Sequence, residues 1–373
     1  MIKLQDLTKV FQTPEGTDIV AADKINMEVE TGEICILIGP SGCGKTTTLK
    51  MVNRLIQPTS GKIYINGKDV TQIDTIELRR QLGYVIQQIG LFPNLTIKEN
   101  VGLVPKLLKW DKKRINDRTV ELLEMMALDP AVFADRYPRQ LSGGQQQRVG
   151  VARALAADPE ALLMDEPFGA VDPINRAVIQ DEFLKMQRKL KKTILFVSHD
   201  IDEAVKMGDK IAIFKDGVLE QYDTPARILG NPANDFVDAF VGADSAIKRL
   251  GVLNCEDAYF HEPEGFVTRN ETVGKARELM AQKSYSRVVV LGKNGNPKGY
   301  ITKSDIEGKD GKVNDHHHPI HYIADLKTDC RTALSKMLDN ETTWLPVVDE
   351  SGTYQGYINQ MGITHALGRT KRA

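Results

Sequence analysis

The sequence predicts an α/β protein in two parts: a mainly parallel sheet flanked by helices, then a small α/β unit that occurs twice. Three observations predict it. Four apolar runs, at 34–38, 161–164, 193–197 and 211–214, look like strands buried on both faces, and helix-patterned segments alternate with them. The first run leads into Gly39-Pro40-Ser41-Gly42-Cys43-Gly44-Lys45-Thr46, a complete phosphate-loop pattern between a strand and a helix. After Gly242, Gly299-Tyr300-Ile301 returns 57 residues later as Gly356-Tyr357-Ile358.

Residues 1–66 alternate apolar and polar side chains, as in Ile2-Lys3-Leu4-Gln5, with glycine punctuation at Gly32 and Gly61. This predicts short strands around a small sheet. A helix is expected over 44–55, opening at the glycine loop. From Thr96 to Tyr137 the pattern turns helical, with Val120, Leu123, Met126 and Ala127 at spacings of three and four, so 96–157 reads as an inserted helical arm. Within it, Leu141-Ser142-Gly143-Gly144-Gln145 opens a helix with Ser142 as N-cap; Val149, Ala152 and Ala156 share one face, and Asp158-Pro159 stops it. The first domain is expected over 1–242 and a linker over 243–254. The same 57-residue offset pairs Ala276 with Ala333, Met280 with Met337, Val290 with Val347, Gly295 with Gly352 and Ile306 with Ile363. It divides the remainder into repeats at 255–312 and 313–373. Each reads as helix, strand, glycine turn, strand, helix, and the two are expected to bury a shared core.

With 49 basic and 50 acidic side chains, a net charge of −1 and no long charge run, the chain lacks the strongly basic face of a nucleic-acid binder. No nucleic-acid partner is expected. No apolar stretch approaches the roughly 18 residues of a membrane span, and the sequence begins in a strand-like segment without a signal peptide. Work at a membrane would need partner subunits to hold the protein there. Cys35, Cys43, Cys255 and Cys330 form no Cys-x-x-Cys pair and read as reduced, packed thiols of a cytosolic protein.

The phosphate loop carries specific chemistry. Its glycines let backbone N–H groups close around phosphate oxygens, Lys45 reaches the β- and γ-phosphates, and the Thr46 hydroxyl, with Thr47 beside it, can ligate Mg²⁺. Asp165-Glu166 ends a buried run. Asp165 suits a Mg²⁺ contact, and Glu166 is placed to polarise an attacking water. The glycine-rich helix start after Ser142 exposes N–H groups at the positive end of a helix, which makes a second phosphate site. A chain with its own phosphate loop has one simple use for a second: another molecule's nucleotide.

These three motifs, at 39–46, 141–145 and 161–166, make residues 1–242 resemble the ATP-binding subunit of an ABC transporter, a P-loop nucleotide-binding domain with a helical subdomain. The resemblance implies ATP and Mg²⁺ as ligands and an ATPase coupled to transport. It implies that Gln87, in Tyr84-Val85-Ile86-Gln87, contacts Mg²⁺ and the water at the γ-phosphate. It gives His199, in Val197-Ser198-His199-Asp200, a γ-phosphate contact, and Phe11 an adenine-stacking position. Asp172 matches the family's D-loop aspartate, although Gly169-Ala170-Val171-Asp172 departs from the commoner Ser-Ala-Leu-Asp. The implied assembly is a head-to-tail dimer of two copies. Each ATP lies between the phosphate loop of one and Ser142, Gly143, Gly144 and Gln145 of the other. The segment 87–96 resembles the importer form that grips membrane-spanning permease subunits. That form argues against a soluble, non-transport ABC ATPase and places the protein peripherally on the cytoplasmic side of the cell membrane. An extracellular solute-binding protein belongs to the implied complex.

Residues 255–370 resemble a tandem pair of CBS domains, an ending typical of importers for glycine betaine, carnitine, choline or related quaternary-ammonium solutes. In that family the pair commonly binds adenine nucleotides, and in related importers cyclic di-AMP. The alternative is that it only joins two copies. Thr302 and Asp305 of the first repeat are placed to hydrogen-bond a ribose and phosphate, whereas Asn359 and Gly362 replace them in the second. Trp344 and Tyr357 are candidate stacking surfaces. His316, His317, His318 and His321 lack fixed ligand spacing and read as a solvated loop. The basic end at Arg369-Thr370-Lys371-Arg372 is given no role.

Overall fold

The computed structural model describes residues 2–14, 16–87, 90–169 and 171–370; Gln88, Ile89, Ala170 and the tail from Lys371 lie outside them. The chain divides into two compact units, residues 1–228 with 232–241, and residues 229–231 with 242–373.

Two sheets build the first unit. Strands Ile2–Gln12, Asp18–Val29, Ser60–Ile65 and Lys68–Asp69 form an antiparallel sheet. The expected alternation holds at its start, where Ile2 and Leu4 are buried and Lys3 and Gln5 exposed. The second sheet has six strands in the order Val218–Asp223, Lys210–Lys215, Ile34–Ile38, Thr193–Val197, Ala161–Asp165, Leu82–Val85. The last five are mutually parallel, with Ile36 opposite Phe196 and Met164 opposite both Phe196 and Val85. Their apolar runs are buried along their length because helices and the antiparallel sheet cover their two faces. Asp165 proves to be the last residue of its strand, paired with Val197.

The helix after the phosphate loop runs over Lys45–Val52, shorter than the expected 44–55. Gly44, at φ 99°, lies outside helical geometry, and Arg54, at φ 48°, turns the chain away at the other end. A Cβ at Gly44 would fall 2.0 Å from the Ala21 carbonyl oxygen, so this position admits only glycine. The helical arm contains Ile97–Val101, Leu103–Leu107, Lys112–Met125, Pro130–Phe133 and Gly143–Leu155. Leu123 and Met126 are buried as their spacing predicts, but Ala127 is exposed. The helix has ended at Met125, and Ala127 (φ 52°) sits in the left-handed turn that follows.

The second unit corrects two expectations. The stretch 243–254 is not a bare linker: Ser245–Arg249 is helical, and Leu250 and Leu253 are buried in the core of the second repeat. The repeats also do not fold as the linear cut at 312/313 suggests. One sheet contains Phe266–Thr268, Arg287–Leu291, Pro297–Thr302 and His318–Pro319; the other contains Ala324–Asp325, Trp344–Val348, Tyr354–Asn359 and Phe260–His261. Each repeat's lead-in strand therefore closes the sheet of the other repeat. Phe260 pairs with Tyr357, and His318 pairs with Tyr300, the two tyrosines standing at corresponding positions of the duplication.

This exchange explains the recurring Gly-Tyr-Ile. A Cβ at Gly356 would lie 2.0 Å from the Phe260 carbonyl oxygen, and one at Gly299 2.6 Å from that of His318. Only a residue without a side chain lets the lead-in strand approach. Between the two sheets Val289, Leu291, Trp344 and Tyr354 form the shared core.

Candidate functional site

In a parallel sheet all strands end on the same edge, so chain connections after them gather there. The order Ile34–Ile38, Thr193–Val197, Ala161–Asp165, Leu82–Val85 therefore sets the phosphate loop, His199, Asp165-Glu166 and Gln87 side by side on that edge. These residues come from four separate stretches of sequence.

At the loop, Lys45 is buried and its ammonium donates to the carbonyls of Gly39 and Pro40, each at 2.8 Å, with the Cys43 sulfur at 3.5 Å. The Thr46 hydroxyl donates to Asp165 Oδ1 at 2.9 Å. Thr47 stands half-buried in the first turn of the helix. Burial pushes the Asp165 carboxyl above its ordinary range, and Glu166 adds to this; the Thr46 hydrogen bond and the Lys50 and Lys45 cations act against it. A half-compensated carboxylate beside a hydroxyl supplies the hard oxygen donors that Mg²⁺ prefers, so these residues fit the ion.

Glu166 occupies a left-handed backbone conformation, φ 47°, which costs a non-glycine residue energy. Its backbone N–H donates to the Val197 carbonyl at 3.0 Å, and its own carbonyl accepts from Gly169 at 3.1 Å. The turn so fixed brings Glu166 Oε2 to 2.8 Å from the Gln87 side-chain amide and 3.8 Å from His199 Nδ1. Four of the expected residues thus form two adjoining contacts, Thr46 with Asp165 and Gln87 with Glu166, and His199 lies at the edge of the second. Phe11 stands apart on the antiparallel sheet, partly exposed, with the Lys9 ammonium 4.8 Å from its ring centre.

The glycine-rich helix start is capped as its sequence suggests. Ser142 and Gln145 form a reciprocal cap: Gln145 N–H donates to Ser142 Oγ at 3.3 Å, and Ser142 N–H to Gln145 Oε1 at 2.9 Å. The helix Gly143–Leu155 extends from it over buried Val149, Ala152 and Ala156, with its N-terminus open to solvent. Asp172 is exposed immediately before helix Pro173–Leu190.

Two groups that carry no motif contact residues near the site in sequence. Arg153 donates to the Gly90 carbonyl at 2.7 Å, holding the chain beyond Gln87. Glu203, buried, accepts from Ser198 and from Gln180. Their positions in sequence look like ordinary helix surface; only the contacts made on folding single them out.

In the second unit the four proposed ligand residues do not converge. Thr302 and Asp305 bond each other, with Thr302 N–H and Oγ1 at 2.8 and 2.6 Å from Asp305 Oδ2, while His318 Nε2 lies 2.8 Å from Asp305 Oδ1. Burial raises the Asp305 carboxyl pKa, but the hydrogen bonds from Thr302 and His318 outweigh it and hold the group below its usual range. Trp344 is only 5% exposed, with the Arg287 guanidinium 5.0 Å from its ring centre and Tyr300 in an edge-to-face contact at 5.6 Å. Tyr357 stacks on Phe260 at 5.2 Å. Trp344 and Tyr357 line one cavity of about 420 Å³ together with Lys283, Tyr285 and Arg287. Trp344 also lines a smaller cleft of about 210 Å³ with Tyr300 and His318. His317 Nδ1 lies 2.9 Å from the Asn314 carbonyl oxygen.

Comparison with known proteins places this geometry. The ABC transporter family matches residues 22–169, and the CBS domain family matches 260–308 and 318–369. The osmoprotectant import ATP-binding protein OsmV of Salmonella typhimurium is 50% identical over the whole chain and 98% of its own length. Two proteins of Bacillus subtilis, the glycine betaine/carnitine/choline transport ATP-binding protein OpuCA and the choline transport ATP-binding protein OpuBA, are 43% and 42% identical; each match spans 97% of this chain and 95% of the relative. Among solved structures, a dimeric ATP-binding cassette in a post-hydrolysis state with ADP and Pi bound is 38% identical, with a TM-score of 0.54 over 60% of this chain and 98% of that one. The phosphate loop, the paired carboxylates and the capped glycine helix are thus found on a chain whose relatives share its full length: it belongs to the ABC transporter family, as an ATP-hydrolysing, transport-coupled subunit that carries a CBS pair.

Proposed function

We propose that the chain energises the import of a quaternary-ammonium compatible solute such as glycine betaine, carnitine or choline. Two copies would work head to tail with membrane-spanning permease subunits and an extracellular solute-binding protein, on the cytoplasmic side of the membrane. The observation that carries the catalytic part is Glu166, turned by its left-handed backbone between Gln87 and His199 and adjoining the Thr46–Asp165 pair.

In this reading Lys45 exchanges the Gly39 and Pro40 carbonyls for the β- and γ-phosphates, and the loop N–H groups surround the same oxygens. Thr46, Asp165 and Gln87 hold Mg²⁺, which when bound neutralises charge on the phosphate oxygens. Glu166 accepts a hydrogen bond from the attacking water and orients it for attack on the γ-phosphorus as the bond to the bridging oxygen breaks. His199 donates to the γ-phosphate oxygens. Phe11 stacks on adenine. Ser142, Gly143, Gly144 and Gln145 of the second copy, with its Asp172, complete the site, and the positive helix end adds to the γ-phosphate. Support for the solute comes from what the full-length relatives transport.

The deciding experiment is an uptake assay with the cognate membrane and binding subunits, comparing glycine betaine, carnitine, choline and an unrelated sugar. ATP-dependent uptake of the quaternary amines alone supports the reading; uptake of the sugar instead overturns the solute class.

The CBS pair is proposed as a regulatory module, with cyclic di-AMP as its candidate ligand. Cationic Lys283 and Arg287 beside Tyr285 and Tyr357 suit an anionic, aromatic ligand. One observation favours the alternative of dimerisation alone: Thr302 and Asp305 are bonded to each other. Titration of the full-length protein with cyclic di-AMP and with AMP, its catalytic site kept saturated with ATP, separates the two, since a module that only joins copies binds neither.

A further inference from the structure

Glu203 is a carboxylate, 7% exposed, in the helix Ile201–Met207 that follows the His199 turn. One of its oxygens accepts from the Ser198 hydroxyl, and the other accepts from the Gln180 side-chain amide at 2.8 Å. The Ser198 oxygen in turn accepts the backbone N–H of Asp200 at 3.1 Å. Asp200 caps the helix by accepting from the N–H groups of Asp202 and Glu203. His199 thus lies between two residues that are both tied to the same acid. Its own side chain is largely exposed, so the packing around the ring does not fix it.

The network reaches further. Gln180 is on helix Pro173–Leu190, which starts directly after Asp172. One turn earlier, Arg176 donates to the Val171 carbonyl at 3.0 Å and stands 3.9 Å from the Asp200 carboxylate. The helix that leads out of the Asp172 turn is therefore joined to the His199 turn twice, through Gln180–Glu203–Ser198 and through Arg176–Asp200. A buried carboxylate is costly unless its oxygens are met by donors, and the reaction proposed above makes no use of this one. Two acceptor oxygens face two donors, which gives the contact a fixed direction.

We propose that Glu203 is a positioning residue: through Ser198 it holds the turn that aims His199 and, through Gln180, ties that turn to the helix leading from Asp172. The inference rests on the reading of His199 as the γ-phosphate donor. Burial pushes the Glu203 carboxyl up in pKa and Asp200 adds to this, while Ser198, Gln180 and Arg176 oppose it. The acid is maintained by its hydrogen-bond partners rather than by solvent.

The test uses the full-length chain with Mg²⁺ and ATP, measuring turnover and nucleotide affinity. In Glu203→Gln the side chain offers one acceptor and one donor where two acceptors stood, so the Ser198 hydroxyl or the Gln180 amide must turn to meet it; kcat is expected to fall about tenfold, the worth of roughly one misplaced hydrogen bond, while ATP affinity and KM stay within about twofold. Ser198→Ala, which keeps the acid and cuts only its link to the turn, is expected to show the same split. Exchanging the pair, Glu203→Gln with Gln180→Glu, restores two acceptors facing two donors and is expected to recover kcat to within about threefold. Near-normal turnover in Glu203→Gln or Ser198→Ala, a parallel loss of ATP affinity, or an exchange variant as slow as Glu203→Gln overturns the proposal. His199→Ala separates the two readings. Near-normal turnover there removes the histidine's role itself, whereas a slow His199→Ala beside an unaffected Glu203→Gln removes only the role of Glu203.

Discussion

Glu166 shows how much of a site rests on one residue's backbone. Its identity was legible from the carboxylates that end an apolar run, but its conformation was not. The left-handed φ of 47° goes with a hydrogen bond from Gly169, three residues on, and one to Val197, which is near it only after folding. Substituting Glu166→Gln preserves shape and the Gln87 neighbour but removes the charge. Turnover is expected to drop by roughly 10²–10⁴-fold, the usual worth of a positioned acid or base, with ATP still bound. A steady-state ATPase assay beside nucleotide-binding measurements checks this, and near-normal turnover would remove Glu166 from its role. Single residues were less legible where chemistry depends on burial. Glu203 and Gln180 carry no motif, and Trp344 looked available for stacking until the fold covered it with Arg287 and Tyr300.

Among elements, the helix Gly143–Leu155 was readable almost residue by residue because its start is local chemistry. Ser142 and Gln145 satisfy each other's backbone N–H groups three residues apart, a relation visible in sequence. Replacing Ser142 with Ala is expected to cost about 1 kcal/mol of stability in the first unit, and replacing it with Gly only a few tenths, as denaturant unfolding would measure. Equal losses in the two variants would show that the cap is not what stabilises this helix end. The exchanged lead-in strands were illegible for the opposite reason. They are only two residues long, and their partners lie in the other repeat. The glycines facing them did leave a trace, as the repeated Gly-Tyr-Ile. Gly356→Ala is expected to destabilise the second unit by about 1–3 kcal/mol, since its Cβ would overlap the Phe260 carbonyl. Gly352→Ala is the control: it has a positive φ but open space around it, and should cost less. Thermal unfolding of both variants distinguishes overlap from backbone strain.

For the whole molecule, the division into an α/β unit and a duplicated unit was evident from apolar runs and the 57-residue offset. The folded role of 243–254 was not, because a short helix and two leucines carry no pattern long enough to read. Each unit has a core of its own, so unfolding in denaturant should proceed in two transitions. Met337→Ala, in the core of the second repeat, should lower one transition by about 2–5 kcal/mol and leave the other in place. A single transition that shifts as a whole would contradict this.

The interlocked pair has a further consequence for how such a segment is inherited. Near its beginning Arg249 donates to the Leu367 carbonyl at 3.1 Å, and near its end Arg369 donates to the Asp257 carbonyl at 2.6 Å. Entry and exit are therefore stitched together, and the order in which the two repeats are written in the gene is nearly arbitrary. For the second unit alone, a rearranged gene that joins residue 370 to residue 250 and opens between the repeats, in the exposed stretch 308–310, should encode the same folded object. Deleting either copy by itself would strip a strand from the survivor, so the duplication can be gained or lost only whole.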